Sequence, residues 1–282
     1  MPPNTPDIRD PMLDRNRDIV GLVPAAGRAR RIAPLPCSKE LYPVGFHRIG
    51  EPPEPRPKVV SHYLLEKFRK AGVTKTYIVL REGKWDIPAY YIDGKLIDMH
   101  LAYMVITDSC GPPDTIDRAY PFVENKLVAF GFPDIMFSPD DVFEHLFQRL
   151  TTSNADIVLG VLPAHDCKVM DMVEIDEKGR IHSLVLKPAQ THLRYTWVCA
   201  VWTSAFTYFM HKFLTSDELM SNLAQLKSQK IDLSGDLPVG AVIQAAIGHG
   251  LQVEGVPFPN GTYVDIGSPE DLVKAVQKFC FQ

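Results

Sequence analysis

Small residues and cations share one stretch of the chain, between residues 21 and 44. Ala25, Ala26 and Gly27 directly follow an apolar run, and small side chains there let backbone N–H groups approach a ligand closely. Arg31 and Lys39 place two positive charges on the same loop. Backbone donors combined with cations suit a polyanion, so the segment predicts a cradle for a triphosphate. The alternative, a tight turn without a ligand, leaves the two cations unexplained.

Short motifs follow this loop in a fixed order along the chain. They lie at residues 39–43, 111–119, 131–135, 173–174, 187–188 and 263–270. Together with the small-residue loop, this ordered set resembles the sugar-1-phosphate nucleotidyltransferases, the family of glucose-1-phosphate thymidylyltransferase. The resemblance extends from about residue 18 to residue 276.

The resemblance implies a fold and an activity. The fold is α/β: a Rossmann-like, three-layer structure with a mainly parallel mixed sheet and a small antiparallel sugar-binding patch. The activity is transfer of a nucleotidyl group from an NTP to a sugar 1-phosphate, giving an NDP-sugar and pyrophosphate. An oxygen of the sugar phosphate attacks the α-phosphorus in line while pyrophosphate departs. The enzyme therefore mainly positions two anions and neutralises their charge, with Mg²⁺ as the cofactor.

The resemblance also assigns roles to residues on the matching motifs. Arg31 would hold the triphosphate and the leaving pyrophosphate, and Lys39 would contact the α-phosphate, where negative charge develops. Asp134 and Asp265 would hold magnesium, because carboxylate oxygens suit a hard divalent cation. The remaining implied contacts are Ala25, Ala26, Gly27 and Gly111 to the nucleotide, and Glu174 and Lys187 to the sugar phosphate. The alternatives are solvated surface charges for the cations and a turn or cap for each aspartate.

The metal motif departs from the family pattern. The family's metal aspartate directly follows a glycine, whereas Phe132 and Pro133 separate Gly131 from Asp134. The insertion places the geometry of the metal site in question.

The sugar-binding motif departs as well. Leu186 precedes Lys187 where the family carries a glutamate that accepts hydrogen bonds from sugar hydroxyls, and leucine cannot accept one. We therefore expect Leu186 to form an apolar wall of the sugar pocket. Asp171 stands where the family tends to have glycine, and it is either a new acceptor or a surface aspartate.

These departures keep a second function open, a catalytically impaired relative that binds nucleotide or sugar phosphate as a sensor. Retention of Arg31, Lys39, Asp134 and Asp265 favours the active enzyme. A dinucleotide-binding oxidoreductase is disfavoured, because no G-x-G-x-x-G pattern follows the first apolar run. The sequence does not fix the base, the sugar or whether the protein forms a homo-oligomer.

Alternating strands and helices must present these motifs. Apolar runs predict strands at residues 19–24, 75–80, 127–130 and 157–161. Helical spacing predicts helices at residues 60–71, after Ser138-Pro139 and after Ser268-Pro269, each Ser-Pro forming the N-cap and first helical residue. The alternation predicts a mainly parallel sheet. Short alternating segments between residues 172 and 202 predict the antiparallel patch, and the proline-rich residues 51–57 predict a surface loop.

Composition narrows the class of protein. The chain has 282 residues, 45% of them hydrophobic and 23% charged, which is typical of a globular protein. A net charge of −4 disfavours nucleic-acid binding, and no apolar run is long enough to span a membrane. The five cysteines are scattered without a C-x-x-C pair, so free thiols are expected. We predict a cytoplasmic protein with a mobile arm at residues 1–17 and a single domain at 18–282.

Overall fold

The computed structural model describes residues 18–49, 52–215 and 236–279. The predicted arm at residues 1–17 lies outside the described residues. The strands are β1 Ile19–Ala25, β2 Pro43–Ile49, β3 Glu54–Val59, β4 Lys75–Arg81, β5 His100–Ile106, β6 Leu127–Gly131, β7 Ile135–Ser138, β8 Ile157–Pro163, β9 Met172–Ile175, β10 Ile181–Val185, β11 Tyr195–Trp202, β12 Val253–Pro257 and β13 Thr262–Asp265. The α-helices are α1 Val60–Lys70, α2 Asp86–Tyr91, α3 Pro112–Asp117, α4 Tyr120–Val123, α5 Val142–Thr152, α6 Ser204–Thr215, α7 Val239–Gly248 and α8 Pro269–Phe279.

Nine strands form one mixed sheet. The parallel part runs in the order β6, β1, β4, β5, so four carboxyl ends meet at one edge. The second half of β11 pairs antiparallel with β6, and the first two residues of β11 pair antiparallel with β9. The other edge of β11 pairs antiparallel with β8, and β8 in turn pairs parallel with β12. This confirms the predicted α/β fold with a mainly parallel mixed sheet. The antiparallel strands β9 and β10 continue this sheet at one end.

Side chains of β1 alternate between two hydrophobic cores. Val20 and Leu22 pack in the core under α3, α4, α6 and α7, whereas Val23 and Ala25 pack in the core under α1, α2 and α5. This alternation follows from the two-residue period of a strand. Helices therefore cover both faces of the sheet, which gives the three predicted layers. Among the described residues, no helix has the length and apolarity that crossing a membrane requires.

Two local predictions were wrong. Ser138 ends strand β7 and does not cap a helix; α5 begins four residues later, with Asp141 as its N-cap residue. The proline-rich segment forms strand β3, which pairs with β2 in a two-stranded hairpin. Prolines are tolerated there because a strand in a two-stranded hairpin has one edge that needs no hydrogen bond. The predicted start of α8 is confirmed, since the backbone N–H of Asp271 donates to the Ser268 hydroxyl at 3.2 Å.

Gly21 lies where α1 packs closely against the sheet. A Cβ atom at this position would lie 2.8 Å from Cδ2 of Phe68 and would also overlap the hydroxyl of Thr76. The Phe68 ring is fully buried, so it has no room to retreat. Gly21→Ala should therefore lower the free energy of unfolding by about 1–3 kcal/mol, as overpacking does. Urea unfolding measures this, and a stability equal to the wild type would contradict the packing described here.

Candidate active site

A cleft with a volume of about 740 Å³ lies over the carboxyl ends of the parallel strands. Its wall includes the last residues of β4 and β5 and the segments that follow β1 and β6. Open α/β sheets bind ligands at this edge, and the volume is typical of a small-molecule site. The residues assigned from the motifs that line the cleft are Ala26, Gly27, Arg31, Lys39, Gly111, Asp134, Lys187 and Asp265.

The loop before β2 carries Lys39 on a single helical turn, Lys39–Leu41, and is fixed on both sides of it. Before Lys39, the backbone N–H and the hydroxyl of Ser38 donate to the Asp86 carboxylate at 2.6 and 2.8 Å. After Lys39, the Glu40 backbone carbonyl accepts from the Ser61 hydroxyl at 2.7 Å. The backbone position of Lys39 is therefore determined by contacts with α1 and with the start of α2.

Glu40 and Lys84 form a buried ion pair beneath this turn. The Lys84 ammonium donates to both carboxylate oxygens of Glu40 at 2.7 and 2.8 Å, and the two residues are 8% and 2% exposed. Burial raises the pKa of Glu40 and lowers the pKa of Lys84, and their mutual attraction opposes both shifts. Removing Lys84 would leave an unpaired buried carboxylate, so this pair is a structural requirement of the Lys39 turn.

Asp134 and Asp265 come together through a second, two-stranded sheet. β13 pairs antiparallel with β7 so that Asp265 lies opposite Ile135, and the backbone N–H of Ile266 donates to the Asp134 carbonyl at 3.1 Å. The Lys39 ammonium forms an ion pair with the Asp134 carboxylate. The insertion of Phe132 and Pro133 therefore does not remove Asp134 from the cleft.

The Lys39 ammonium partly compensates the negative charge of Asp134 and Asp265. Burial and the neighbouring Asp134 raise the pKa of Asp265 to about 6, while Lys39 opposes the rise. Burial alone would lower the pKa of Lys39, but Asp134 and the other nearby carboxylates outweigh it and raise that pKa. Lys39 is therefore a stable cation beside two acids that repel each other, an arrangement that attracts a further cation.

The Arg31 guanidinium also lies in the cleft near the Asp265 carboxylate. A Cβ atom at Gly267 would lie 2.7 Å from Nη2 of Arg31 and 2.9 Å from Oδ1 of Asp265. The backbone N–H of Gly267 also donates to Asp265 Oδ1 at 2.8 Å. Only a residue without a side chain fits between the guanidinium and the carboxylate. Gly267 was not singled out from the sequence, although it lies in the last motif.

The small-residue loop has the space that a ligand needs. Gly27 is exposed, and the nearest atom to a Cβ at this position would be Cε of Lys39 at 4.0 Å. Ala26 lines the cleft, whereas Ala25 is the buried last residue of β1 and does not line it. Across the cleft, Gly111 has a φ of +138° that side-chain-bearing residues rarely adopt. The loop and Gly111 thus face each other across the opening.

The predicted sugar-phosphate residues are only partly brought together. Lys187 lines the cleft, with a φ of +40° that is unusual for a residue with a side chain and is maintained only where the surroundings require it. Glu174 is exposed on β9, where it accepts a hydrogen bond from the Ser183 hydroxyl at 2.6 Å, and does not line the cleft. Leu186 packs against the hydrophobic core and does not line the cleft either, so the predicted leucine wall is wrong.

Apolar side chains and one carboxylate form this end of the cleft instead. Phe132 and Trp197 contribute aromatic surface, with ring centroids 5.9 Å apart. Asp171 lies beside them, and burial raises its pKa while the nearby Lys187 ammonium opposes the rise. A Cβ atom at Gly240 would overlap the Asp171 carboxylate, so the glycine lets the first turn of α7 approach it. The alternative of a surface aspartate is therefore wrong for Asp171.

Known structures are similar to this protein in fold but have low sequence identity to it. Neither a protein-family model nor a curated protein matches the sequence. A protein from Bacillus anthracis assigned as a glucose-1-phosphate thymidylyltransferase, in complex with a sucrose, superposes with a TM-score of 0.73 at 17% identity, covering 92% of this chain and 94% of that one. UDP-glucose pyrophosphorylase complexed with UDP-glucose gives 0.71 at 16% identity, covering 93% and 98%.

A third solved structure with a similar fold is named for a different phosphorylated substrate. The inositol-1-phosphate CTP transferase from T. maritima superposes with a TM-score of 0.64 at 18% identity, covering 94% of this chain and 98% of that one. All three matches span nearly the whole described chain. The protein thus has the fold of the sugar-1-phosphate nucleotidyltransferases, as the ordered motifs predicted.

Substitution at Gly27 separates a phosphate cradle from a tight turn. Because a methyl group at this position meets only ordinary contacts, Gly27→Ala should change the free energy of unfolding by no more than about 0.5 kcal/mol. The methyl would occupy space needed by a phosphate, so affinity for nucleoside triphosphates should fall at least about tenfold. Gly248→Ala in α7, which also meets no close atom, is the control and should bind normally. Lost stability with unchanged nucleotide binding would favour the tight turn.

The raised pKa of Asp265 predicts a pH-dependent effect on stability. Protonated Asp265 stabilises the folded state fully below pH 3.8, and that stabilisation is lost as the pH rises through about 6. Asp265→Asn, which keeps the shape without the charge, should therefore gain stability relative to wild type by about 1–3 kcal/mol more at pH 7.5 than at pH 4 in EDTA. Urea unfolding at both pH values tests this. An equal difference at the two values would show that Asp265 is not an electrostatic burden on the fold.

Proposed function

We propose that this protein transfers a nucleotidyl group from an NTP to a sugar 1-phosphate, with release of pyrophosphate. The observation that carries the proposal is the arrangement of Lys39, Asp134 and Asp265 at the carboxyl ends of the sheet, beside the open small-residue loop. The fold match to sugar- and inositol-phosphate nucleotidyltransferases supports it. The reaction brings two anionic substrates together, and the Lys39 ammonium, with a cation held by the two carboxylates, would neutralise their charge.

The residues of the cleft divide the charge of the reaction between them. A phosphate oxygen of the second substrate forms a bond to the α-phosphorus as the bond to the β-phosphate oxygen breaks, and the electron pair departs with pyrophosphate. The backbone of Ala26 and Gly27 would hold the β- and γ-phosphates, and Arg31 would neutralise the departing pyrophosphate. Lys39 would meet the charge that grows on the α-phosphate oxygens.

Asp134 and Asp265 fit a divalent cation. They supply carboxylate oxygens from two adjacent segments, and burial together with repulsion from Asp134 raises the pKa of Asp265 to about 6, a repulsion that a bound cation would relieve. Bound Mg²⁺ would supply charge neutralisation on the phosphate oxygens of both substrates. Lys39, which pairs with Asp134 in the free protein, would then be available to the α-phosphate.

The second substrate would lie at the apolar end of the cleft. Lys187 would hold its phosphate, and Asp171, which interacts electrostatically with Lys187, would bind its polar groups. Glu174, predicted to contact the sugar phosphate, is replaced by Asp171 in our proposal because Asp171 lines the cleft and Glu174 does not. The surface of Phe132 and Trp197 would contact the carbon skeleton of the ring.

A substrate panel tests the function. The purified protein is incubated with Mg²⁺, each common nucleoside triphosphate and a set of phosphates that includes hexose 1-phosphates and inositol 1-phosphate. Pyrophosphate release and formation of the nucleotide-linked product should appear together for at least one pair. Nucleotide or sugar-phosphate binding without pyrophosphate release in any pair would instead establish the impaired, ligand-sensing relative.

Lys39 and Arg31 should fail in different ways. Lys39→Ala should reduce kcat by at least about 100-fold while weakening ground-state nucleotide binding much less, because the charge it meets grows in the transition state. Arg31→Ala should impair both quantities, and Lys95→Ala, an exposed lysine outside the cleft, should impair neither. Steady-state kinetics with nucleotide titrations resolve the difference. Unchanged kcat in Lys39→Ala would make this lysine an anchor only.

A further inference from the structure

Two histidines and a glutamate gather on the side of α1, outside the cleft. His47 lies on β2, and His62 and Glu66 lie one helical turn apart on α1. One donor atom from each residue lies within 4.8 Å of the others. His62 Nε2 is 3.6 Å from Glu66 Oε1, and the rings of His47 and His62 have centroids 4.7 Å apart at an interplanar angle of 87°. The three donors converge from two elements on one point.

His62 is buried without the hydrogen bonds that a buried imidazole normally makes. Its Nδ1 has no partner in the described part of the chain, and 3.6 Å is too long for a hydrogen bond from Nε2 to Glu66. The residue is only 3% exposed. A separation of 3.6 Å is instead close to that of two donors that share one metal ion, about 3.4 Å around tetrahedral zinc, so Nε2 is the nitrogen placed to bind an ion with Glu66.

The other two side chains are held in place by contacts outside the cluster. The Lys58 ammonium pairs with Oε2 of Glu66, which leaves Oε1 turned towards His62. The ring of His47 lies near the backbone carbonyl of Pro57 on the neighbouring strand. Such outer contacts orient the side chains that bind metal ions in proteins. Burial lowers the pKa of His47, and lowers that of His62 to about 4, so both rings offer lone pairs at neutral pH.

We propose that His47, His62 and Glu66 bind a first-row divalent cation that prefers imidazole, with Zn²⁺ as its representative, and that water completes the coordination. Two imidazoles and a carboxylate form a known ligand set for zinc, whereas Mg²⁺ prefers oxygen ligands. Around tetrahedral zinc the donors lie roughly 3.4 Å apart, so the cluster closes by about 1 Å on binding. Ions reach it through a cavity of about 960 Å³ whose wall includes His47, Lys58 and Glu66.

The ion would fasten the β2–β3 hairpin to α1. β3 ends at Val59 and α1 begins at Val60, so the hairpin and helix are already joined at one end. A bond from His47 to the ion would join them again across β2. β2 begins two residues after the Lys39–Leu41 turn, so the same ion would also stabilise the path from the cleft to the hairpin.

The test uses the full-length protein after removal of metals with EDTA. Titration with Zn²⁺ alone, followed by calorimetry, should show one site in the wild type and in Asp265→Asn, which removes one of the cleft carboxylates. His47→Ala, at the less buried ligand, should weaken zinc binding by more than about 100-fold, because even loss of an outer contact weakens a metal site by 10–100-fold. Zinc should raise the melting temperature of the wild type and leave that of His47→Ala unchanged.

Two further variants keep the result interpretable if His62 variants do not fold. Glu66→Gln retains the size of the side chain and should also lose the site. Lys58→Met removes the contact that orients Glu66 and should weaken zinc binding by about 10–100-fold. Excess Mg²⁺ should not compete. Zinc binding that survives His47→Ala, disappears in Asp265→Asn or is absent from the wild type overturns the proposal.

Discussion

The arrangement of the cleft depends on one constraint, the accumulation of carboxylates in a partly buried place. Asp134 and Asp265 repel each other, and burial makes that repulsion stronger than it would be in water. The Lys39 ammonium is the counter-charge that makes the arrangement stable in the free protein. A cation in that position is also what a phosphate group requires, so the interaction that stabilises the cleft suits the anionic substrates of the proposed function.

Lys39 can serve as that counter-charge only because contacts of the neighbouring residues fix its backbone position. The Glu40–Lys84 pair and the Ser61 hydroxyl hold one side of its turn, and Asp86 holds the other through Ser38. Replacing the buried pair with apolar side chains could preserve stability, as it does in other proteins, but would remove a directional constraint on the turn. The polar interactions beneath the cleft therefore specify position more than they add stability.

Sequence reasoning identified the residues that line the charged end of the cleft better than those that line its apolar end, for a physical reason. Around Gly27, Lys39 and Asp134, the roles depend on backbone segments at strand ends, whose order the motifs reveal. At the other end, the roles depend on which face of a short strand points inwards, and a shift of one residue reverses it. Glu174 is exposed on β9 for this reason, and Leu186, one residue beyond the end of β10, is partly buried against the core. Lys84 was missed because its partner, Glu40, lies 44 residues away in the sequence. Gly267 was missed because its contribution is only the absence of a side chain between Arg31 and Asp265.

The Phe132–Pro133 insertion affects both the charged end and the apolar end of the cleft. It lengthens the turn between β6 and β7, yet Asp134 still reaches Lys39 because the pairing of β7 with β13 fixes the residue that follows it. The additional length is taken up by Phe132, whose ring packs against Phe130 and Trp197 at 5.0 and 5.9 Å between centroids. The insertion therefore leaves the Asp134 carboxylate in the cleft and adds aromatic surface to it. For the function proposed here, a change that conserves the charged end and reshapes the apolar end would alter the choice of second substrate without altering the chemistry.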